Sequence, residues 1–445
     1  MWIVCSVQSP DLARIRVFLR ESLSVISRSQ ISRTSLRGVI GNAVFFSFWP
    51  RAQATVNQWS RFQQLTLLIS AISIGIILRL WAQTSHRNYD FESYLLVSKL
   101  LVEGENPYSL GRYNYGPNWM FFLTFSRSIF EDPDAFRLLI ALTLTLADIG
   151  IAIVLYKRGY SLAAVVIMLS PISIAITGQH QQFDNTAIFL LLAAMAIYRP
   201  SNEKGSKWTA NETLVLVLVS LSITTKHVFL FFLLWFALKQ PNLRKAAIFV
   251  VVPVTIFLLS LAPFWVSNSQ AVIESVFLYS GYNNAPLLSI PIQSLDEMGV
   301  LGRRLQQAVF VLVVIGMGFL LRRLPPFKLA LVYTVTLVVF TSTLADQYLS
   351  IAMIGAAVFL NIGFFLWMLL GTIYFFGNPE TLAVPGLTTL HELVPGLLTR
   401  ASDSAYQLLT LTLFIGWILM IISLRPGWKS PPKIHERNVT ISNEG

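Results

Sequence analysis

Apolar runs separated by short polar breaks dominate this chain. They lie near 63–82, 136–156, 161–177, 186–198, 212–225, 228–238, 246–263, 304–321, 328–344, 348–361, 363–376 and 405–424. A helix crossing a bilayer unaided needs about 17–25 apolar residues, so the pattern predicts an all-α polytopic transmembrane bundle of about 12 spans. Several runs are short, which predicts broken helices or re-entrant hairpins. The polar stretch after the first run has a different rhythm. Phe91 to Val102 alternates at helical spacing, predicting an interfacial helix lying on the membrane with Tyr94, Leu95, Leu96 and Leu100 toward lipid. Gly104-Glu105-Asn106-Pro107-Tyr108 ends it. Tyr113-Asn114-Tyr115-Gly116-Pro117 then turns the chain, with Pro117 able to open the next helix.

Composition agrees with that class. Of 445 residues, 54% are hydrophobic and 12% charged, and the mean hydropathy is +0.62, far from a soluble domain's roughly 25% charged residues. The net charge of +11 does not signal nucleic acid, because the Lys and Arg residues sit in short loops and form no continuous basic face. Most of the 33 basic residues fall on one side: the N-terminal segment, Lys157-Arg158, Arg199 to Lys207, Lys239 to Lys245, Arg322-Arg323 with Lys328, and the tail from Arg425. The positive-inside rule makes that side, and both termini, cytoplasmic. The chain then divides into a basic N-terminal segment, 1–60, a membrane domain, 61–424, and a tail, 425–445. The first segment reads as a surface-lying basic stretch, a transit-like leader or an over-extended start. The single Cys5 excludes an intrachain disulfide. The sequons at Asn211 and Asn438 fall on the cytoplasmic side, where they go unused.

The opposite face carries three long polar regions, about 83–135, 264–303 and 377–404, and collects the candidate chemistry. Asp90 and Glu92 stand at a membrane boundary, where carboxylates are either solvated or used. Asp90 reads either as a catalytic group or as the cap of the helix it begins. Thr177-Gly178-Gln179-His180-Gln181-Gln182-Phe183-Asp184-Asn185 packs many donors and acceptors into one turn, as sugar hydroxyls require, although Asp184 or Asn185 as a helix cap is the alternative. Lys226-His227 reads as a snorkelling lysine or as a phosphate contact, and Arg303-Arg304 as headgroup neutralisation or catalysis. Asp346-Gln347-Tyr348 marks a further outer turn. Asp148, inside a span, is the group a transporter or lipid flippase would use.

Taken together, these residues resemble the GT-C superfamily of polytopic glycosyltransferases, including dolichol-pathway glucosyltransferases and bacterial polyprenyl-phosphate-mannose enzymes. The family's early outer-loop aspartate is similar to Asp90, its Tyr-Pro-Pro-like element to Tyr113–Pro117 with Gly116 in place of the first proline, and its Gly-His-Phe-Gln-Tyr-Asn-like turn to Gly178–Asn185. Lys226-His227 looks like its Lys-His or Lys-Gln pair, and Pro263-Phe264 like its Pro-Phe. A late His-Glu pair of some members is similar to His391-Glu392 or gives way to Asp346-Gln347.

The resemblance implies inverting transfer of a hexose, mannose or glucose, from a polyprenyl- or dolichyl-phosphate sugar to a glycan or lipid-linked acceptor. Asp90 is then the base. Lys226, His227 and Arg303 hold the donor phosphate, while Glu92, Tyr115, His180, Gln181, Gln182, Asp184, Asp346 and Gln347 hold sugar or acceptor. No cofactor is expected and no metal is required, with a divalent ion between Asp90 and Asp184 left open. The expected location is the inner membrane of a bacterium or the endoplasmic reticulum of a eukaryote.

Overall fold

The computed structural model describes residues 44–85, 87–199, 208–279, 287, 300–341, 344–392, 398–400 and 402–424. The chain divides into two units, Met1–Phe48 and Trp49–Gly445. The first lies almost wholly outside the described residues, as do the tail from 425 and the side chain of Arg303. The second unit holds the apolar runs and the candidate site.

Among the described residues each apolar run of the sequence is mainly helical, and no strand occurs. Five helices are long and apolar enough to cross a membrane: Arg61–Gln83, Pro133–Lys157, Leu243–Ser267, Arg304–Leu321 and Asp403–Ser423. Ser161–Leu169 with Pro171–His180 makes a sixth if that pair, bent by 51° at Ser170-Pro171, is one span. The remaining runs are shorter apolar helices of 10–17 residues. Asp184–Ile197, with 14 residues, reaches only about 21 Å, short of a hydrocarbon core about 30 Å thick. It packs against Ala210–Thr225, as Pro326–Phe340 does against Tyr348–Val358 and Ile362–Phe376 against Asp403–Ser423.

Polar caps mark where these helices begin. Ser60 closes a capping box with Gln63 at the start of Arg61–Gln83, and Thr209 does the same with Glu212 at Ala210–Thr225. Within 1–60, the described part includes the Val44–Gln58 helix. It is tied to the bundle by Asn57 Nδ2 donating to the Gly159 carbonyl at 2.9 Å.

The first of the three long polar regions folds as Tyr89–Val102, a short turn Pro107–Leu110, and Pro117–Ile129. Its first helix does not lie with the expected face on lipid. Tyr94 and Leu100 are buried, because Tyr94 packs against Trp119 and Phe183 and its hydroxyl donates to the Gln181 carbonyl at 3.1 Å. An aromatic with a polar tip goes where the tip finds an acceptor, and here that is inside the protein. Gly116 has a specific reason to be glycine. A Cβ there would run into the Thr224 carbonyl, so only a bare backbone lets the Tyr113–Pro117 turn sit on the end of the Ala210–Thr225 helix.

Candidate active site at one end of the bundle

Asn88, and not Asp90, caps Tyr89–Val102. Its Oδ1 accepts from the Phe91 amide at 2.9 Å, and its Nδ2 donates to the Gln179 carbonyl at 2.8 Å. One side chain thus starts the helix and ties it to the polar turn. Asp90 occupies the first turn, half-buried, with no capping duty. Burial is the largest influence on its carboxyl and pushes it up to about 6; Gln182 and the charges of Lys226 and Arg400 oppose that shift, while Asp346 adds to it. Asp90, Gln182, Lys226, Asp346 and Arg400 therefore share one electrostatic site.

The turn reaches this site through irregular backbone. Residues Ala175–His180 form a π-helical turn, and Gln181 follows in the left-handed region with φ 58°. That conformation is uncommon for a side-chain-bearing residue and clusters at functional sites. Neither Asp184 nor Asn185 caps the helix they begin. Asp184 faces Lys226, with Nζ 2.8 Å from Oδ1 and both side chains fully buried. The Lys226 ammonium is the one side-chain partner of the Asp184 carboxylate among the described residues. Lys226 owes its place to a break in the backbone, which turns extended (φ −140°, ψ 102°) where Ala210–Thr225 ends. Its ammonium lies 4.1 Å from the centroid of the Tyr115 ring. The Tyr115 hydroxyl accepts from Gln347 Nε2 at 3.3 Å, which brings the Asp346-Gln347 turn alongside.

Asp346 is the anchor of that turn. Its Oδ1 accepts from the hydroxyls of Tyr374 at 2.7 Å and Tyr406 at 2.9 Å, and Oδ2 lies 3.7 Å from Arg400 Nε.

Several expected site residues lie elsewhere. Glu92 is exposed on the far side of the helix from Asp90, two residues being about 200° apart, and lines an open cleft with Lys99, Arg112 and Arg127. Gln181 turns its amide to the Arg137 carbonyl at 3.1 Å, a structural bond. His180 is buried with its ring edge-on to Phe375, and His227 stacks on Phe257. Arg303's side chain falls outside the described residues. His391 lies 3.1 Å from the Leu398 carbonyl and Glu392 is exposed, so the His-Glu pair adds nothing to the Asp90 cluster.

Sequence reasoning passed over Arg400, Asn88 and the Tyr374–Tyr406 pair. A signal for Arg400 was present: it is the one Lys or Arg between 377 and 404 on a face otherwise poor in cations. Asn88 carried a weaker signal, as an N-cap residue type two positions before Asp90.

Asp148 sits in a buried ion pair with Arg79. It accepts from Arg79 Nε at 2.8 Å, Thr177 Oγ1 at 2.9 Å and Asn185 Nδ2. Arg79 in turn donates to the carbonyls of Gly75, Met168 and Ile167 and to Ser173 Oγ. This knot fastens the bent 161–180 segment and Asn185 to the Arg61–Gln83 helix, and so fixes the turn that presents Gln182 and Asp184.

No family model matches the chain, and no curated protein matches it. Among solved structures, the crystal structure of ArnT from Cupriavidus metallidurans bound to undecaprenyl phosphate is similar to it. The identity is 12% and the TM-score 0.43, over 82% of this chain and 77% of that one. A likeness this distant assigns no activity and no residue.

Proposed function

We propose that this protein is a membrane glycosyltransferase that moves a hexose from a polyprenyl-phosphate sugar to an extracytoplasmic acceptor, inverting the anomeric centre. The observation that carries the reading is the state of Asp90. It is freed from capping by Asn88, shares its site with Asp346, Lys226 and Arg400, and is pushed up by burial to about 6. A base poised near the operating pH is what proton abstraction from a hydroxyl requires, and such a group typically contributes roughly 10²–10⁴-fold.

In this mechanism the acceptor oxygen attacks the anomeric carbon as Asp90 takes its proton. The bond from that carbon to the phosphate oxygen breaks, and its electron pair leaves with the phosphate. Gln182, Asp184, Asp346 and Gln347 surround the sugar and the acceptor. Lys226 supplies positive charge at the floor of the site. The acceptor is a glycan or a lipid-linked glycan. The site end of the bundle faces away from the cytoplasm, with both termini on the cytoplasmic side.

The test is to incubate the purified protein with a panel of polyprenyl-phosphate mannoses and glucoses and candidate acceptors. A new glycosidic bond of inverted configuration, with release of polyprenyl phosphate, is the expected result. Movement of labelled lipid across a vesicle membrane with no bond formed would favour a transporter and sink the proposal.

A further inference from the structure

Single displacement changes the phosphate's charge. The donor is a phosphodiester with one negative charge; the departing polyprenyl phosphate is a monoester that gains a second as the sugar–oxygen bond breaks. A cation has to face that oxygen. Lys226 is poorly placed for it: fully buried, spent on Asp184 at 2.8 Å, and lidded by the Tyr115 ring.

Arg400 has the opposite properties. Its side chain is 26% exposed, and of its five donors one, on Nη1, hydrogen-bonds to the Glu380 carbonyl at 3.1 Å among the described residues. Asp346 holds it loosely at 3.7 Å, through the one carboxylate oxygen that Tyr374 and Tyr406 leave uncovered. A carboxylate whose other oxygen accepts two hydroxyls has its charge dispersed, so it aims the guanidinium without neutralising it. The Glu380 carbonyl that steadies the other edge belongs to a braced turn, where the Glu380 amide donates to Asn378 Oδ1 at 2.9 Å.

We infer that Arg400 is the phosphate-receiving residue of this site, held by Asp346 with Tyr374 and Tyr406, and that its ligand is the phosphate monoester headgroup of a polyprenyl phosphate. The assignment rests on the transferase reading. It moves the leaving-group role from Lys226, His227 and Arg303 to a residue of the third outer region. A planar guanidinium with both Nη2 protons and one Nη1 proton to offer matches two phosphate oxygens at once.

The experiment is equilibrium binding of undecaprenyl phosphate and of undecaprenol, its neutral analogue, to detergent-solubilised protein without any sugar. Wild type should prefer the phosphate. Arg400→Ala should lose about 10–100-fold in affinity for it, the range for charge-assisted hydrogen bonds, with undecaprenol binding unchanged. Arg400→Gln keeps a donor for the Glu380 carbonyl and should lose the preference equally, which separates lost charge from a disturbed loop. Arg400→Lys should recover only part of it. If Arg400→Ala and Arg400→Gln keep the full preference, the Arg400 assignment is wrong while the transferase reading stands. If wild type does not distinguish phosphate from alcohol, both fall. Displacement of the lipid by equimolar inorganic phosphate would show a free-phosphate site and overturn the lipid assignment.

Discussion

Two fully buried ion pairs in this bundle differ in one respect. Arg79–Asp148 is saturated: Arg79 directs all three nitrogens at acceptors, and Asp148 takes hydrogen bonds from Arg79, Thr177 and Asn185. Lys226–Asp184 is not. Its ammonium meets the Asp184 carboxylate at 2.8 Å and the Tyr115 ring at 4.1 Å, and among the described residues no further side chain is seen to donate to Asp184. A buried ion pair with few further partners braces its surroundings less than one whose every donor and acceptor is taken. The first pair braces the architecture, and the second lies in the cluster around Asp90. Asn185 and Asp184, adjacent in sequence, join one to the other.

The largest expected effect is on the site side. Asp90→Asn should lower sugar transfer by about 10²–10⁴-fold with the melting temperature in detergent unchanged, since Asn88 and not Asp90 caps the helix. Next is the architectural pair. Asp148→Asn leaves Arg79 as an uncompensated buried charge and should cost about 3–5 kcal/mol, read as a lower melting temperature or lost expression. Asp184→Asn should do the reverse in proportion. Transfer should fall about 10–100-fold through misplaced sugar-binding groups, with a smaller drop in melting temperature than Asp148→Asn, because the Tyr115 ring still faces the ammonium. Equal thermal losses in the two variants would break the comparison. Smallest of all, Glu92→Gln on the exposed face should stay within about 0.5 kcal/mol and leave transfer unaltered.

Much of this was legible in the sequence, because hydrophobic runs and caps are local. Each of the twelve runs is mainly helical among the described residues, and Asp90, Asp184, Lys226 and Asp346, drawn from four separate connections, lie in one cluster. What periodicity cannot give is the direction of a side chain at a break. The π-helical turn at 175–180 and the left-handed Gln181 send the Gln181 amide to the Arg137 carbonyl while Gln182 stays beside Asp90. Glu92 was grouped with Asp90 by proximity in sequence, although a helix sends residues two apart to opposite faces. Arg400 was hidden because its role depends on Asp346, Tyr374 and Tyr406, none of them near it in sequence except Tyr406. Span count was the least readable feature, since an apolar run of 14 residues looks the same whether or not it crosses.

The most direct test of Asp90 as the base is the pH dependence of transfer, measured as kcat/KM from about pH 4.5 to 8 for wild type and Asp90→Asn. A carboxyl held at about 6 is protonated below that pH and cannot accept the acceptor's proton. The wild-type rate should therefore climb as pH rises and level off above an apparent pKa near 6, and the residual rate of Asp90→Asn should lack that limb. A wild-type profile flat through pH 6, or the same limb in both proteins, would contradict the assignment and pass the role of base to Asp184 or Asp346.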